Sequence, residues 1–221
     1  MKRHPYSTIA ILLATALLAA AWGCGPGQKT GEVEAVEVEE YEGTALSSID
    51  DFRENSILGP QHVDPQRYRL RVTGLVQEPT EYTYGEVLRN PQYEKVVTLH
   101  CVEGWSVTIL WEGVLLQDLL AGSQPLPEAQ VVIFHAADGY TTSLPLDYIR
   151  ENRIMLAHQM NRLPLPPERG SPFQLVAESK WGYKWIKWVT ELELSDDIDY
   201  RGYWEKRGFS NSADLDEGFL E

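Results

Sequence analysis

The segment Arg67-Tyr-Arg-Leu-Arg-Val72 alternates strictly, with Tyr68, Leu70 and Val72 on one side and three arginines on the other. A two-residue period fits a strand with one face buried and the other in water. Further short apolar runs follow, and 13 Pro and 17 Gly in 221 residues imply many turns between them. Glu94–His100, Ser106–Leu110, Gln130–Ala136, Tyr140–Leu144, Ile154–His158, Phe173–Ala177 and Trp185–Leu194 all read as strands. Asp138-Gly139 supplies a hairpin turn and Asn161-Arg162 another tight turn. Thr83-Tyr-Gly-Glu86 has capping-box spacing ahead of Val87 and Leu88, which predicts a short helix. Val114–Leu120, stopped by Gly122, and a helical turn over Pro145–Arg150 complete the elements. The pattern predicts an α+β domain with a mixed, strand-dominated core, and 43% apolar residues are enough to fill one.

The N-terminus reads differently. Met1-Lys-Arg-His is a positive start, and Ile9 to Ala21 is an apolar run of 13 residues, the length of an export signal rather than of a spanning helix. It ends in Ala21-Trp-Gly-Cys24, similar to the lipobox in which the cysteine is acylated and becomes the mature N-terminus. Residues 1–23 are thus expected to be a signal peptide of lipoprotein type. Lipidation at Cys24 would anchor an exported chain in the cell envelope, on the periplasmic face. Residues 24–45 are glycine-rich and then acidic, with six glutamates between Glu32 and Glu42, and are expected to form a flexible tether. The folded domain is expected over 46–221, closing in an irregular aromatic tail from Asp197.

Charge narrows the functional classes. The chain carries −14, and −16 without residues 1–23, so nucleic acid would be repelled and is not expected as a partner. One stretch reverses the sign. Between Arg150 and Thr190 lie seven Lys or Arg and three Glu, with Lys180, Lys184 and Lys187 interleaved with Trp181, Tyr183, Trp185 and Trp188. Such a stretch is either a solvated face whose lysine stems cover aromatics or an anion pocket, with Gly182 permitting close backbone approach.

Cys24 and Cys101 are the only cysteines. With Cys24 at the end of a signal, Cys101 has no evident disulfide partner. It is then a small buried hydrophobe or a thiolate ligand to a soft metal. Zinc is disfavoured, because neither a second nearby cysteine nor a histidine pair at ligand spacing is present. A thiol redox enzyme lacks its Cys-x-x-Cys, and no nucleophile elbow or phosphate loop supports a hydrolase. His100, His135 and His158 fall on predicted strands, where a hydrogen-bonded structural role is the ordinary reading.

Five motifs in order give the chain a resemblance. They are Cys101-Val-Glu-Gly-Trp-Ser106 followed by Trp111-Glu-Gly, then Asp138-Gly-Tyr-Thr-Thr-Ser-Leu-Pro145, then Leu163-Pro-Leu-Pro-Pro-Glu-Arg-Gly-Ser-Pro172. Lys180-Trp-Gly-Tyr-Lys-Trp-Ile-Lys-Trp188 and Gly202-Tyr-Trp-Glu-Lys-Arg-Gly-Phe-Ser-Asn211 complete the set. Residues 50–212 resemble the molybdopterin-binding domain of the sulfite oxidase superfamily, most of all its bacterial protein-methionine-sulfoxide reductase branch. The resemblance implies a sulfite-oxidase-type fold, a molybdenum–molybdopterin cofactor and Cys101 as the one protein ligand to the metal. Trp185, Ile186 and Lys187 would wrap the pterin phosphate, with Lys184 beside them. Arg53, Asn55 and Ser56 would contact the pterin from Phe52-Arg-Glu-Asn-Ser56, and His135, Arg169 and Gln174 match lining positions more loosely. Two-electron oxygen-atom transfer at a sulfur or similar centre follows, sulfoxide reductase-like more than sulfite oxidase-like because Val-Glu-Gly-Trp replaces a more basic run. No haem motif is present, so electrons would come from a separate partner, a membrane haem protein or a soluble cytochrome. The alternative is a cofactor-free relative with a binding or structural role. Gln174 stands where the reductase branch carries arginine, and Lys2-Arg3 lacks the rest of a twin-arginine signal.

Overall fold

The computed structural model describes residues 36–221, so the expected signal and Cys24 lie outside the described residues. Twelve strands occur among them. A small hairpin pairs β1 (Glu40–Tyr41) with β2 (Thr44–Ala45). β3 (Arg69–Gly74) and β4 (Thr80–Thr83) lead into α1 (Tyr84–Leu88). The long hairpin of β5 (Gln92–Cys101) and β6 (Trp105–Leu115) precedes α2 (Leu116–Ala121). β7 (Val131–Ala136) and β8 (Thr141–Pro145) follow, then α3 (Leu146–Glu151) and β9 (Met155–Met160). β10 (Leu163–Pro164), β11 (Gln174–Val176) and β12 (Val189–Ser195) complete the set.

The other ten strands form two five-stranded sheets. One runs β10-β9-β6-β5, with β11 added to β9, and the other runs β4-β3-β12-β7-β8. All pairs are antiparallel except β3 with β12, which brings strands from the start and end of the domain together in parallel. One apolar core draws Leu70 and Val72 from β3, Val132 and Phe134 from β7, Ile109 and Trp111 from β6, and Leu192 and Leu194 from β12. The α+β, strand-dominated expectation holds. Tyr68 and Leu70 are buried while Arg69 and Arg71 are exposed, as the period of two requires.

Strand β6 runs on to Leu115 through the expected helix start at Val114, and two further boundaries differ from the sequence expectation. The domain begins before residue 46, because residues 37–45 lie against it instead of belonging to a flexible tether. Glu37 accepts hydrogen bonds from Ile49 N at 2.7 Å, Asn161 Nδ2 at 2.9 Å and Ser48 Oγ at 3.1 Å. A charge pattern that signals repulsion in an isolated segment becomes a set of acceptors once donors face it. The second difference is at Trp185–Leu194, where only Val189–Ser195 is strand. Trp185, Ile186 and Trp188 are all buried, so the side chains do not alternate, and Trp188 at φ 52° breaks the extended path.

Candidate functional site

The β5–β6 hairpin carries Cys101 to its tip, where it pairs with Trp105 across a turn closed by Gly104 N donating to Cys101 O at 3.1 Å. Cys101 is half-buried. Beside it, at residue 182, a Cβ would come within 3.2 Å of His100 O and 3.5 Å of Cys101 Cα, so glycine lets the next segment approach the cysteine strand closely. That segment is a short 3₁₀ turn, Gly182–Lys184, followed by the irregular stretch Trp185–Trp188.

Between these pieces lies a cavity of about 380 Å³. Its walls include Cys101 and Trp105 of the hairpin, Trp185, Ile186 and Lys187 of the irregular stretch, and Arg169 and Gln174 of the preceding loop. Phe52, Arg53, Asn55 and Ser56 close one side, and Trp204 and Phe209 reach in from the tail. Gly170 holds the Arg169–Gln174 loop against Lys187. Its φ is +93°, and a Cβ there would sit 3.0 Å from Lys187 Cβ and 3.2 Å from Gln174 Cβ.

Most of the expected site residues therefore meet. Cys101, Arg53, Asn55, Ser56, Arg169, Gln174, Trp185, Ile186 and Lys187 line one space. Two do not. His135 is not a lining residue, because on β7 its Nε2 lies 2.8 Å from Glu193 Oε2 of neighbouring β12. Lys184 is fully buried behind the wall, its Nζ 2.6 Å from Glu205 Oε1, with both side chains at 0% exposure. The segment's turn points Lys184 away from the cavity that Tyr183 and Trp185 face. Sequence reasoning missed Glu103, Asp138 and Tyr140 as wall residues, although all three stand inside motifs that were recognised. It also missed Trp204 and Phe209 as wall residues, although both stand in the Gly202–Asn211 motif.

The electrostatics are uneven. Burial raises the Cys101 thiol above its ordinary range, and the charge of Glu103 adds to this, while Arg53 and backbone N–H groups of Glu103 and Val102 oppose it. Glu103 accepts from Asn55 Nδ2 at 3.2 Å and from Trp105 Nε1 at 3.3 Å, which fixes its carboxylate near the thiol. Lys187 donates to Glu54 Oε1 at 3.0 Å and to Glu168 O at 3.1 Å, and lies over the Trp188 ring at 4.4 Å. Burial pushes its ammonium below the ordinary lysine range, with the Glu54 hydrogen bond working the other way. Burial also lowers Arg169, whose guanidinium donates to Phe52 O at 3.0 Å and sits over the Phe52 ring at 4.7 Å.

This lining suits a sulfur-ligated metal group with an anionic end. It offers one thiol, three cations in Arg53, Arg169 and Lys187, and aromatic walls. Two buried polar atoms on it, Ser56 Oγ and Gln174 Oε1, have no hydrogen-bond partner among the described residues. Buried polar groups are rarely left unpaired unless a bound group or water satisfies them.

Comparison with known proteins identifies the family of the chain. An "Uncharacterized oxidoreductase YuiH" of Bacillus subtilis is 34% identical over 156 residues, covering 70% of this chain and 78% of that protein. The "Protein-methionine-sulfoxide reductase catalytic subunit MsrP" of Gluconobacter oxydans is 32% identical over 154 residues, with 62% of this chain and 49% of that protein covered. The chain thus spans about half the length of that reductase. Among solved structures, the sulfane dehydrogenase SoxCD of Paracoccus pantotrophus has the same fold, with a TM-score of 0.64 at 24% identity over 85% of this chain and 57% of that one. The model of the oxidoreductase molybdopterin binding domain matches residues 58–204, which is more than half of the sequence. The chain belongs to the oxidoreductase molybdopterin binding domain family of the sulfite oxidase superfamily.

Proposed function

We propose that this chain catalyses two-electron oxygen-atom transfer at a sulfur or similar centre of a neutral or cationic substrate, with Cys101 as the protein ligand to molybdenum. The observation that carries the reading is the convergence of the Cys101 thiol, Arg169, Lys187 and the unpaired Ser56 Oγ and Gln174 Oε1 on one cavity. When bound, molybdenum–molybdopterin supplies the redox couple and the oxygen transfer, and the protein supplies position and field. Lys187 and the backbone of Trp185–Lys187 would hold the pterin phosphate through charge-assisted hydrogen bonds. Arg53, Asn55, Ser56, Arg169 and Gln174 line the same cavity and would contact the pterin. Trp105, Trp204 and Phe209 exclude water and strengthen each polar contact inside. Glu103 sets the substrate class, because its carboxylate disfavours a second negative charge beside Cys101.

The same reading places the chain outside the cytoplasmic membrane, anchored through Cys24 behind a signal over 1–23, and fed by a separate electron carrier. The described residues contain no helix long and apolar enough to cross a membrane.

Metal analysis of the chain expressed in a molybdopterin-competent host tests the assignment. Near-stoichiometric molybdenum is expected, lost in Cys101→Ser without loss of the fold. A folded wild-type chain that carries neither molybdenum nor pterin would sink it. One observation favours a second reading, a cofactor-free relative with a binding role. Gln174 gives the wall an amide where an arginine would add charge to hold the phosphate, and the same analysis decides between the two.

A further inference from the structure

Lys184 sits in the middle of the Lys180–Trp188 motif yet faces away from the cavity. The tail beyond residue 204 lies outside the family match, yet Phe209 within it forms part of the cavity wall. These two facts meet at one contact. Lys184 Nζ lies 2.6 Å from Glu205 Oε1, with both side chains at 0% exposure. Lys184 also donates to Ser143 O at 3.1 Å, and Thr142 Oγ1 donates to the same Glu205 oxygen at 2.6 Å. The contact therefore ties three segments: the irregular stretch after Gly182, strand β8 and the tail.

The chain positions around this contact are wall residues. Tyr183 and Trp185 flank Lys184, and Trp204 precedes Glu205. Two further bonds repeat the connection. Tyr140 OH donates to Tyr183 O at 2.6 Å, and Tyr183 OH donates to Ser210 O at 2.8 Å. Removing two charges from water is costly, and a buried pair is often no more stabilising than apolar residues of the same volume. Its distinctive property is directional: a lysine and a carboxylate meet in one geometry, whereas apolar side chains accept many. A clamp of this kind suits a wall assembled from segments far apart in sequence.

We propose that Lys184 and Glu205 are a positioning pair that fixes the Tyr183–Lys187 stretch against the tail bearing Trp204 and Phe209, and thereby sets how firmly the cavity holds its occupant. In its functional readout the inference rests on the molybdopterin assignment. Its structural readout does not.

Hydrogen exchange at the amides of Tyr183–Trp188 and Tyr203–Phe209 tests the pair in the purified full chain. Glu205→Gln keeps the shape and removes the charge, and Lys184→Met with Glu205→Leu replaces the pair by apolar volume. Both changes are expected to raise exchange in both segments by about tenfold, the effect of losing one charge-assisted bond, while β5 and β6 stay protected. In holoprotein, pterin is then lost faster from the apolar double variant, which leaves no buried charge unpaired, than from wild type. Exchange that rises in the tail alone would overturn the coupling. A double variant with wild-type exchange and wild-type pterin retention would reduce the pair to filling volume and overturn its positioning role. If the substituted pair prevents folding, Thr142→Val, which removes one donor and leaves the pair, is expected to raise exchange in both segments to a smaller degree, and no rise there counts against the clamp. A wild-type chain without molybdenum would defeat the functional assignment, while the exchange comparison would still decide the clamp.

Discussion

At the scale of single residues, two carboxylates and one histidine show how position changes the meaning of a side chain. Glu37 belongs to an acidic run yet serves as a three-way acceptor. Glu103 is held by Asn55 and Trp105 where its charge bears on Cys101. If Glu103 screens out anions, Glu103→Lys should raise kcat/KM for sulfite relative to a neutral sulfoxide by about tenfold or more in loaded enzyme, with the gain shrinking at high salt. Separate steady-state assays of sulfite oxidation with an electron acceptor and of sulfoxide reduction with an electron donor measure this, and an unchanged ratio would remove Glu103 from specificity. His158 is buried, with Nε2 2.9 Å from Gln92 Oε1, and burial lowers its pKa below the ordinary 6.5. The unfolded chain therefore binds the extra proton more readily than the folded one. Stability from this group is full above about pH 6.5 and is lost as pH falls below that value. Urea titrations of wild type and His158→Gln between about pH 7 and pH 5 should show a steeper acid loss in the wild type.

At the scale of elements, local chemistry was largely legible. Thr83 and Glu86 form the reciprocal capping box that their spacing predicts, with Thr83 N donating to Glu86 Oε2 at 2.8 Å. Thr83→Ala should cost about 1 kcal/mol by thermal or urea unfolding, the usual value of such a cap. The Asp138-Gly139 turn joins β7 and β8 as expected, and Asn161-Arg162, at φ 48° and 67°, turns β9 into β10. Those features depend on residues within a few positions of one another. Trp185–Lys187 fails as a strand for the opposite reason, since partners far along the chain bury consecutive side chains there. Lys184 was read correctly as part of a basic, aromatic segment and wrongly as a wall residue. A 3₁₀ turn redirects its side chain, and sequence spacing does not show which way.

At the scale of the whole molecule, the parallel pairing of β3 with β12 joins the start and end of the described domain, and Glu37 is bonded to Asn161 in its middle. Asn161 is the hinge of that arrangement. Fully buried, it accepts from Leu110 N at 3.0 Å and donates to Ser47 O at 2.8 Å and Glu37 Oε1 at 2.9 Å. Asn161→Ala should destabilise the domain by about 3 kcal/mol, because it strands buried partners and removes a residue suited to positive φ. It should also free residues 37–45 to proteolysis, and a variant that melts with wild-type resistance there would contradict the docking. The sequence by itself determined the strand-rich class, the turns, the family motifs and the candidate ligand Cys101, because each is encoded in short-range periodicity or in a contiguous string. Only the tertiary structure decided that Glu103, Trp204 and Phe209 share a wall with Cys101, that Lys184 stands behind that wall, and that His135 is elsewhere. Those outcomes depend on which way a side chain faces after segments distant in sequence have packed, and burial and hydrogen-bond satisfaction settle that only when the whole chain is folded.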